Sequence, residues 1–316
     1  MYTELFYKFL VIWIIVVIIS GCVQKEKKEA DSYSASPMKL QNFERAIPPI
    51  MMTNPQERAG YMIAHFWDKF DFTDTMYCHA PDITDQAFVD FIALFPYAIY
   101  GKVCEGINKL LDAAEIDVAM YNYFYHLAGH YLYDPNSKMR NDEYYIPFLE
   151  HIVASPKVAD EYKIRTLHFL ELTNRNRPGA KAEDIVYTTA SGTTGRLYNI
   201  TASYILLMFF NPDCAECKET TDQLKKAEIL TAAVSSGKLK ILAVYPDENL
   251  DIWRAHLNDI PPTWINGYDK TLFIKTNEIY DLKAIPTLYL LDENKKVILK
   301  DASVGSIIDY LAQNNN

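Results

Sequence analysis

The run Tyr204 to Phe210, YILLMFF, is uninterruptedly apolar and is closed by Asn211-Pro212-Asp213. A short apolar run bounded by turn residues suits a strand buried on both faces. Such a strand needs helices above and below its sheet, so this segment asks for an α/β layer architecture. The residues around it supply the other elements. A helix is expected from the cysteine pair that starts at Cys214 to just before Gly237, with Leu224, Ala227 and Leu230 along one face. Leu239 to Tyr245 reads as the next strand and Glu248 to Leu257 as a helix. Thr287 to Leu291 and Val297 to Lys300 read as a strand pair across Asp292-Glu293-Asn294, and Val304 to Ala312 as a closing helix. Ahead of the run, Ile185 to Thr189 and Arg196 to Ile200 read as short strands either side of a Ser191-Gly192 turn.

The periodicity changes at Asn174-Arg175-Asn176-Arg177-Pro178-Gly179, a polar breaker. Upstream of it the apolar residues recur at helical spacing: Ala59, Met62, Ile63, Phe66 and Phe70, then Phe88, Phe91, Ile92 and Phe95. Further helices are expected at Val103 to Ala114, Val118 to Leu132, Tyr144 to Ala154 and Glu161 to Thr173, with Asn141 and Asp142 as a helix start. With 316 residues the chain is long enough for two domains. The expectation is an all-α helical domain over residues 54–176 and an α/β domain over residues 177–316.

Cys214-Ala215-Glu216-Cys217 follows the apolar strand directly. A structural zinc site needs four ligands, and His256 is the sole histidine beyond Cys217, so no metal is expected. A purely structural disulfide closing so small a loop stabilises little. A redox centre fits better. The tight exit from the strand places Cys214 at the first turn of a helix, where unpaired N–H groups and the macrodipole favour a thiolate, the attacking species in thiol–disulfide exchange. Cys214 is the expected nucleophile. Cys217, one turn on and more shielded, is the expected resolving cysteine, and the two form the redox disulfide.

Ala284-Ile285-Pro286-Thr287 lies immediately before the apolar strand that starts at Thr287. With this second marker the stretch from Ala182 to Ala312 resembles the thioredoxin fold, and its leading hairpin and the helix bearing Trp253 look like secreted thiol–disulfide oxidoreductases of the TlpA and cytochrome-maturation type. The resemblance implies a cis bond between Ile285 and Pro286, facing the cysteines and offering backbone groups to a peptide substrate. Two positions depart from thioredoxin. Asp213 replaces the tryptophan usual before the first cysteine, and Met208 stands where thioredoxin buries a proton-relaying aspartate. The stretch YLYDPNSKMRNDEYYIPFLE, Tyr131 to Glu150, is similar to an uncharacterised domain that precedes thioredoxin domains in lipoproteins of Bacteroides-type bacteria.

The first 21 residues carry an apolar run from Phe9 to Ile19, shorter than the ~20 residues of a membrane span but suited to a secretory signal. Ile19-Ser20-Gly21-Cys22 resembles the bacterial lipobox, which implies lipidation of Cys22 and cleavage before it, an uncleaved anchor being the alternative. Residues 22–53 are charged and Ser-rich at their start and read as a solvated tether, with folded structure beginning near Asn54. A net charge of −10 argues against a nucleic-acid surface. His126 and His130 share a helix face in HLAGH, but Leu127 stands where a zincin has its glutamate, so packed or capping roles are expected. Cys78 and Cys104 either pair or are simply buried.

Together the two resemblances imply a cell-envelope lipoprotein, expected to be anchored to the inner or outer membrane with its folded domains outside the cytoplasm. Its thioredoxin-like domain is expected to exchange disulfides with protein thiols without a cofactor. Asp213 and Glu216 oppose the helix dipole, which argues for a reductant or isomerase recharged by a membrane redox partner. The alternative is a non-enzymatic binding or scaffold lipoprotein in which the thioredoxin-like domain is vestigial.

Overall fold

Asn54 opens the first helix because its side chain satisfies orphan amides of the helix end. Oδ1 accepts from the Gln56 N–H at 2.8 Å and from the Glu57 N–H at 3.3 Å, with Pro55 at the first helical position. The computed structural model describes residues 42–314. Its first half consists of α1 (Pro55–His65), α2 (Thr84–Ile92), α3 (Tyr100–Ala114), α4 (Val118–Ala128), α5 (Asp142–Ala154) and α6 (Asp160–Asn174). Asp117 caps α4 and Asn141 caps α5 through the same kind of side-chain bond. Gly129–Tyr133, expected as the end of a straight helix, is a π-helical turn. The inward faces meet in an aromatic core, where Trp67 packs edge-on against Phe70, Phe91 and Phe124, and Phe88 lies against Phe124 and Phe148. Such edge-on pairs contribute about 0.5–1.5 kcal/mol each beyond their burial.

Packing starts earlier than the expected tether allows. Phe43 stacks on Trp67 with ring centroids 5.5 Å apart, and the Arg45 guanidinium lies 4.4 Å from the Phe66 centroid and 3.2 Å from the Asp90 carboxylate. One aromatic and one arginine ahead of the Pro48-Pro49 pair carry no helical or strand periodicity, so the sequence pattern passes over them. The expected signal segment, Cys22 and most of the tether lie outside the described residues. Among the described residues no helix is long and apolar enough to cross a membrane.

The second half is a seven-stranded sheet: β1 (Val186–Thr189), β2 (Thr194–Arg196), β3 (Tyr204–Phe209), β4 (Leu239–Tyr245), β5 (Ile265–Tyr268), β6 (Thr287–Asp292) and β7 (Val297–Leu299), in the order β2-β1-β5-β4-β3-β6-β7. β3 runs parallel to β4 and β4 to β5, and the remaining pairs are antiparallel. The helices are α7 (Ala215–Lys226), α8 (Glu228–Ser235), α9 (Leu250–Ala255), α10 (Phe273–Thr276) and α11 (Val304–Gln313). Alternate residues of β3 serve opposite faces. Leu206 and Met208 pack with Leu224 of α7, Leu230 of α8 and Ile307 of α11, while Ile205, Leu207 and Phe209 pack with Ile274 of α10 and with Tyr280. This is the doubly covered strand that an apolar run demands. The fold is a thioredoxin-like mixed α/β sheet preceded by an all-α half.

Three local expectations change. The single helix after the cysteines is two, α7 and α8, broken at Ala227, whose φ of −73° and ψ of 107° are extended. Leu224 and Leu230 would sit about 120° apart on one continuous helix. The break lets both be buried. Arg196 to Ile200 is a strand only as far as Arg196, after which Leu197–Asn199 makes a 3₁₀ turn that buries Leu197. Finally, β5 and α10 were not expected at all. β5 contains Gly267, on which a Cβ would come within 2.9 Å of the Tyr187 ring, so the close packing that requires glycine also removes the apolar signature of a strand.

Candidate active site

The antiparallel register of β3 and β6 sets Phe209 opposite Thr287. The chain leaving β3 and the chain entering β6 therefore meet at one end of the sheet, which brings residues 211–214 beside Ile285 and Pro286. The exit loop is pinned by Asn211. Its Oδ1 accepts from the Asp213 N–H at 3.0 Å, its carbonyl from the Cys214 N–H at 3.1 Å, and its Nδ2 donates to Asp247 at 2.8 Å. Cys214 follows as the N-cap of α7, one position ahead of the expected first turn, and its carbonyl accepts the first helical bond from the Lys218 N–H at 3.2 Å. The side chain is half-buried.

The Cys214 sulfur has two acceptors in reach, the Ile285 carbonyl oxygen at 3.3 Å and the Glu216 Oε2 at 3.2 Å. A thiol carries one proton, so the two share it. The Ile285–Pro286 peptide bond is cis. The Glu216 carboxyl is held below its ordinary range by its own backbone N–H and by the Cys214 thiol. Cys217 lies one turn along α7, 1% exposed, and accepts a bond to its sulfur from the Asn211 N–H at 3.3 Å. Burial pushes this thiol far up, and the neighbouring Cys214 and Glu216 add to the effect against the opposing Asn211 amide. Both cysteines are free thiols, the dithiol form of the expected couple.

Met208 is fully buried on the face of the sheet that Cys217 packs against, so the position where the resemblance calls for an acid is apolar. A cavity of about 160 Å³ nevertheless touches Cys217 and is bordered by His256, Asp222, Asp259, Lys218 and Lys225. The His256 Nδ1 lies 3.0 Å from the Ile252 carbonyl, which only accepts, so Nδ1 carries the proton and Nε2 is left as an acceptor in the neutral ring. Nothing local connects this histidine with Cys217, because α8, β4 and α9 lie between it and the motif. A larger cavity, about 730 Å³, lies in the helical half between α4 and the start of α6, lined by Tyr121, Tyr125, His126, Ile152, Tyr162 and Arg165 among others. It contains none of the thiols.

The weaker candidates separate. Among the described residues no group of three or more His, Cys, Asp or Glu side chains is arranged to hold a metal ion. His126 lies tilted against the adjacent Tyr125 ring, and His130 meets the adjacent Tyr131 ring edge-on. Cys78 and Cys104 do not pair: both are free and half-buried, with the Cys78 sulfur 3.8 Å from that of Met120, and burial raises both thiols above their ordinary value.

A family model described as "Thioredoxin-like" matches residues 202–297, and one described as "Domain of unknown function (DUF5106)" matches residues 21–176. The crystal structure of a thioredoxin-like protein from Bacteroides caccae is 46% identical to this chain, with a TM-score of 0.84, over 87% of this chain and 99% of that one. The chain belongs to the thioredoxin-like proteins. The crystal structure of the C-terminal domain of an uncharacterized protein from Bacteroides fragilis is 50% identical over 43% of this thioredoxin-like chain and 98% of its own, with a TM-score of 0.43. A rice protein (Oryza sativa subsp. japonica) named "Probable nucleoredoxin 3" is 27% identical over 124 residues. This thioredoxin-like protein spans 26% of the length of that curated relative.

Proposed function

We propose that this protein is a thiol–disulfide oxidoreductase acting on protein substrates, with Cys214 as nucleophile and Cys217 as resolving cysteine. The observation that carries the reading is the meeting of the half-buried Cys214 sulfur with the Ile285 carbonyl while Cys217 is sealed beneath it. The Cys214 thiolate attacks a client disulfide, forming a mixed disulfide and releasing one client sulfur. Cys217 then gives up its proton and attacks the Cys214 sulfur, releasing the second client sulfur. The client gains two electrons, the enzyme is left as the Cys214–Cys217 disulfide, and a dithiol reductant restores it. Ile285 and Pro286 would line the client's backbone. The Glu216 carboxylate lies 3.2 Å from the attacking sulfur, where its negative charge would oppose a thiolate, which supports the reducing or isomerising direction.

The site of action we propose is the cell envelope, with the chain held to a membrane through lipid on Cys22 and recharged by a membrane redox partner. A second reading, a binding or scaffold lipoprotein, draws on the 730 Å³ cavity of the helical half and on the apolar Met208. Dithiothreitol-driven insulin reduction, with a measured two-electron midpoint potential for the Cys214–Cys217 couple, separates the two. A reversible couple and turnover support the enzyme, and a pair that neither reduces insulin nor equilibrates with glutathione supports the scaffold.

A further inference from the structure

Where the helical half meets the sheet, ionisable side chains are buried together. Asp142, at the start of α5, receives the Lys283 Nζ at 2.5 Å on Oδ1 and the Lys300 Nζ at 2.8 Å on Oδ2. Lys283 also lies 3.3 Å from Asp281 and 3.8 Å from Asp301, and its ammonium is 4.4 Å from the Tyr133 ring centroid. The Tyr133 hydroxyl reaches Asp281 at 3.3 Å, and Arg140 pairs with Asp301 at 2.8 Å. The Lys283 and Lys300 side chains are 4% exposed, Asp281 5% and Asp142 6%. Burial raises the Asp142 carboxyl, but Lys283 and Lys300 outweigh it and hold the group below the ordinary carboxylate range. Three carboxylates face three cations, so the cluster is neutral and desolvated.

Burying so many charges costs several kcal/mol per ion before pairing, and apolar side chains of like volume would hold two packed surfaces together as well or better. What ion pairs supply is a defined geometry, and the geometry here ends at the cysteines. Tyr133, Arg140 and Asp142 come from the helical half. Asp281 and Lys283 come from the segment that leads through Ala284 to Ile285 and Pro286. Lys283 is two residues from the carbonyl that touches the Cys214 sulfur.

We propose that the Asp142–Lys283 ion pair is a positioning contact of the redox site, through which the helical half fixes the Ile285 carbonyl against the Cys214 sulfur. The inference rests on Cys214 as the reacting sulfur. It gives the helical half a part in the chemistry without its touching the substrate.

The test uses the full chain with Asp142→Leu and Lys283→Met combined, which removes both charges together, and Tyr133→Phe, which keeps the ring and deletes only the hydroxyl on Asp281. Cys214 alkylation by iodoacetamide in the reduced protein and the midpoint potential in glutathione buffers are measured alongside thermal melting. The double variant is expected to change the alkylation rate about tenfold and to move the dithiol–disulfide equilibrium about tenfold, which is about 30 mV for two electrons. Tyr133→Phe should change both in the same sense by about two- to threefold, and Asp142→Glu should restore part of the wild-type rate. A folded double variant with wild-type alkylation and potential overturns the proposal. If the double variant does not fold, unchanged values in Tyr133→Phe overturn it equally. Alkylation reads the position of the loop even where the wild type reduces no insulin, so failure of the proposed activity and failure of the positioning contact give different results.

Discussion

The carbonyl oxygen of Ile285 sits 3.3 Å from the sulfur of Cys214 across 71 positions of sequence. The contact exists because β3 and β6 are antiparallel neighbours with Phe209 opposite Thr287, so the end of one strand and the start of the other share an edge. The carbonyl there shares the thiol's hydrogen bond with Glu216, and the proposed client strand would meet backbone groups beside the sulfur.

Trapping should be asymmetric. With Cys217→Ser the proposed attacking sulfur remains and its exit route is gone, so mixed disulfides with client proteins should accumulate on non-reducing gels. Cys214→Ser leaves of the pair only Cys217, which is 1% exposed, and should trap few or none. Equal and negligible trapping by both variants would favour the scaffold reading.

Cys22 should carry lipid if the Ile19-Ser20-Gly21-Cys22 resemblance holds. Mass spectrometry of membrane-extracted protein is expected to find a diacylglyceryl cysteine as the first residue, and Cys22→Ala should carry no lipid and retain the residues ahead of position 22. An intact Met1 on the extracted protein contradicts the assignment.

Much of the sheet was legible because the apolar runs are dense. Leu239 to Tyr245 was placed to the residue, and Tyr204 to Phe210 to within one. The cysteine pair and Ile285-Pro286 were legible as motifs, and the register of β3 on β6 brings them together. What escaped depends on tertiary contact. β5 reads Ile-Asn-Gly-Tyr, and its glycine is dictated by a tyrosine some eighty positions away. Asp142 reads correctly as a helix start, yet nothing local says that its carboxylate is spent on Lys283 and Lys300. Phe43 looks like part of a tether until Trp67 is beside it.

Gly267→Ala should lower stability by about 1–3 kcal/mol, the usual cost of overpacking. The added Cβ would meet the Tyr187 ring at 2.9 Å and the backbone oxygen of Thr188 at 3.3 Å, and backbone cannot swing aside. The melting temperature should fall by about 2–10 °C for a domain of this size. Combining it with Tyr187→Leu should cost less than the two single changes added together, since they share one contact. Strict additivity in that cycle would mean that the glycine answers to something other than the ring.

The pH dependence of the second chemical step follows from Cys217. Its thiol is raised by burial, so at neutral pH the group is protonated and only its small thiolate fraction resolves the mixed disulfide. Below its folded-state pKa that fraction grows tenfold per pH unit. Release of thionitrobenzoate from a Cys214 mixed disulfide should therefore accelerate about tenfold per unit from about pH 6 to about pH 9. A plateau within that range would contradict a resolving thiol raised by its burial. Stability runs the other way. The folded thiol holds its proton more tightly than the unfolded one, whose ordinary value is 9.0, so the contribution is complete below that pH and is lost as pH rises above it. The reduced wild type should lose up to about 1.4 kcal/mol per pH unit relative to Cys217→Ser on that alkaline side. Buried tyrosines such as Tyr280 and Tyr289 titrate in both proteins, so denaturant midpoints of the two compared across alkaline pH isolate the cysteine. Parallel curves would show that the Cys217 thiol is not raised by its burial.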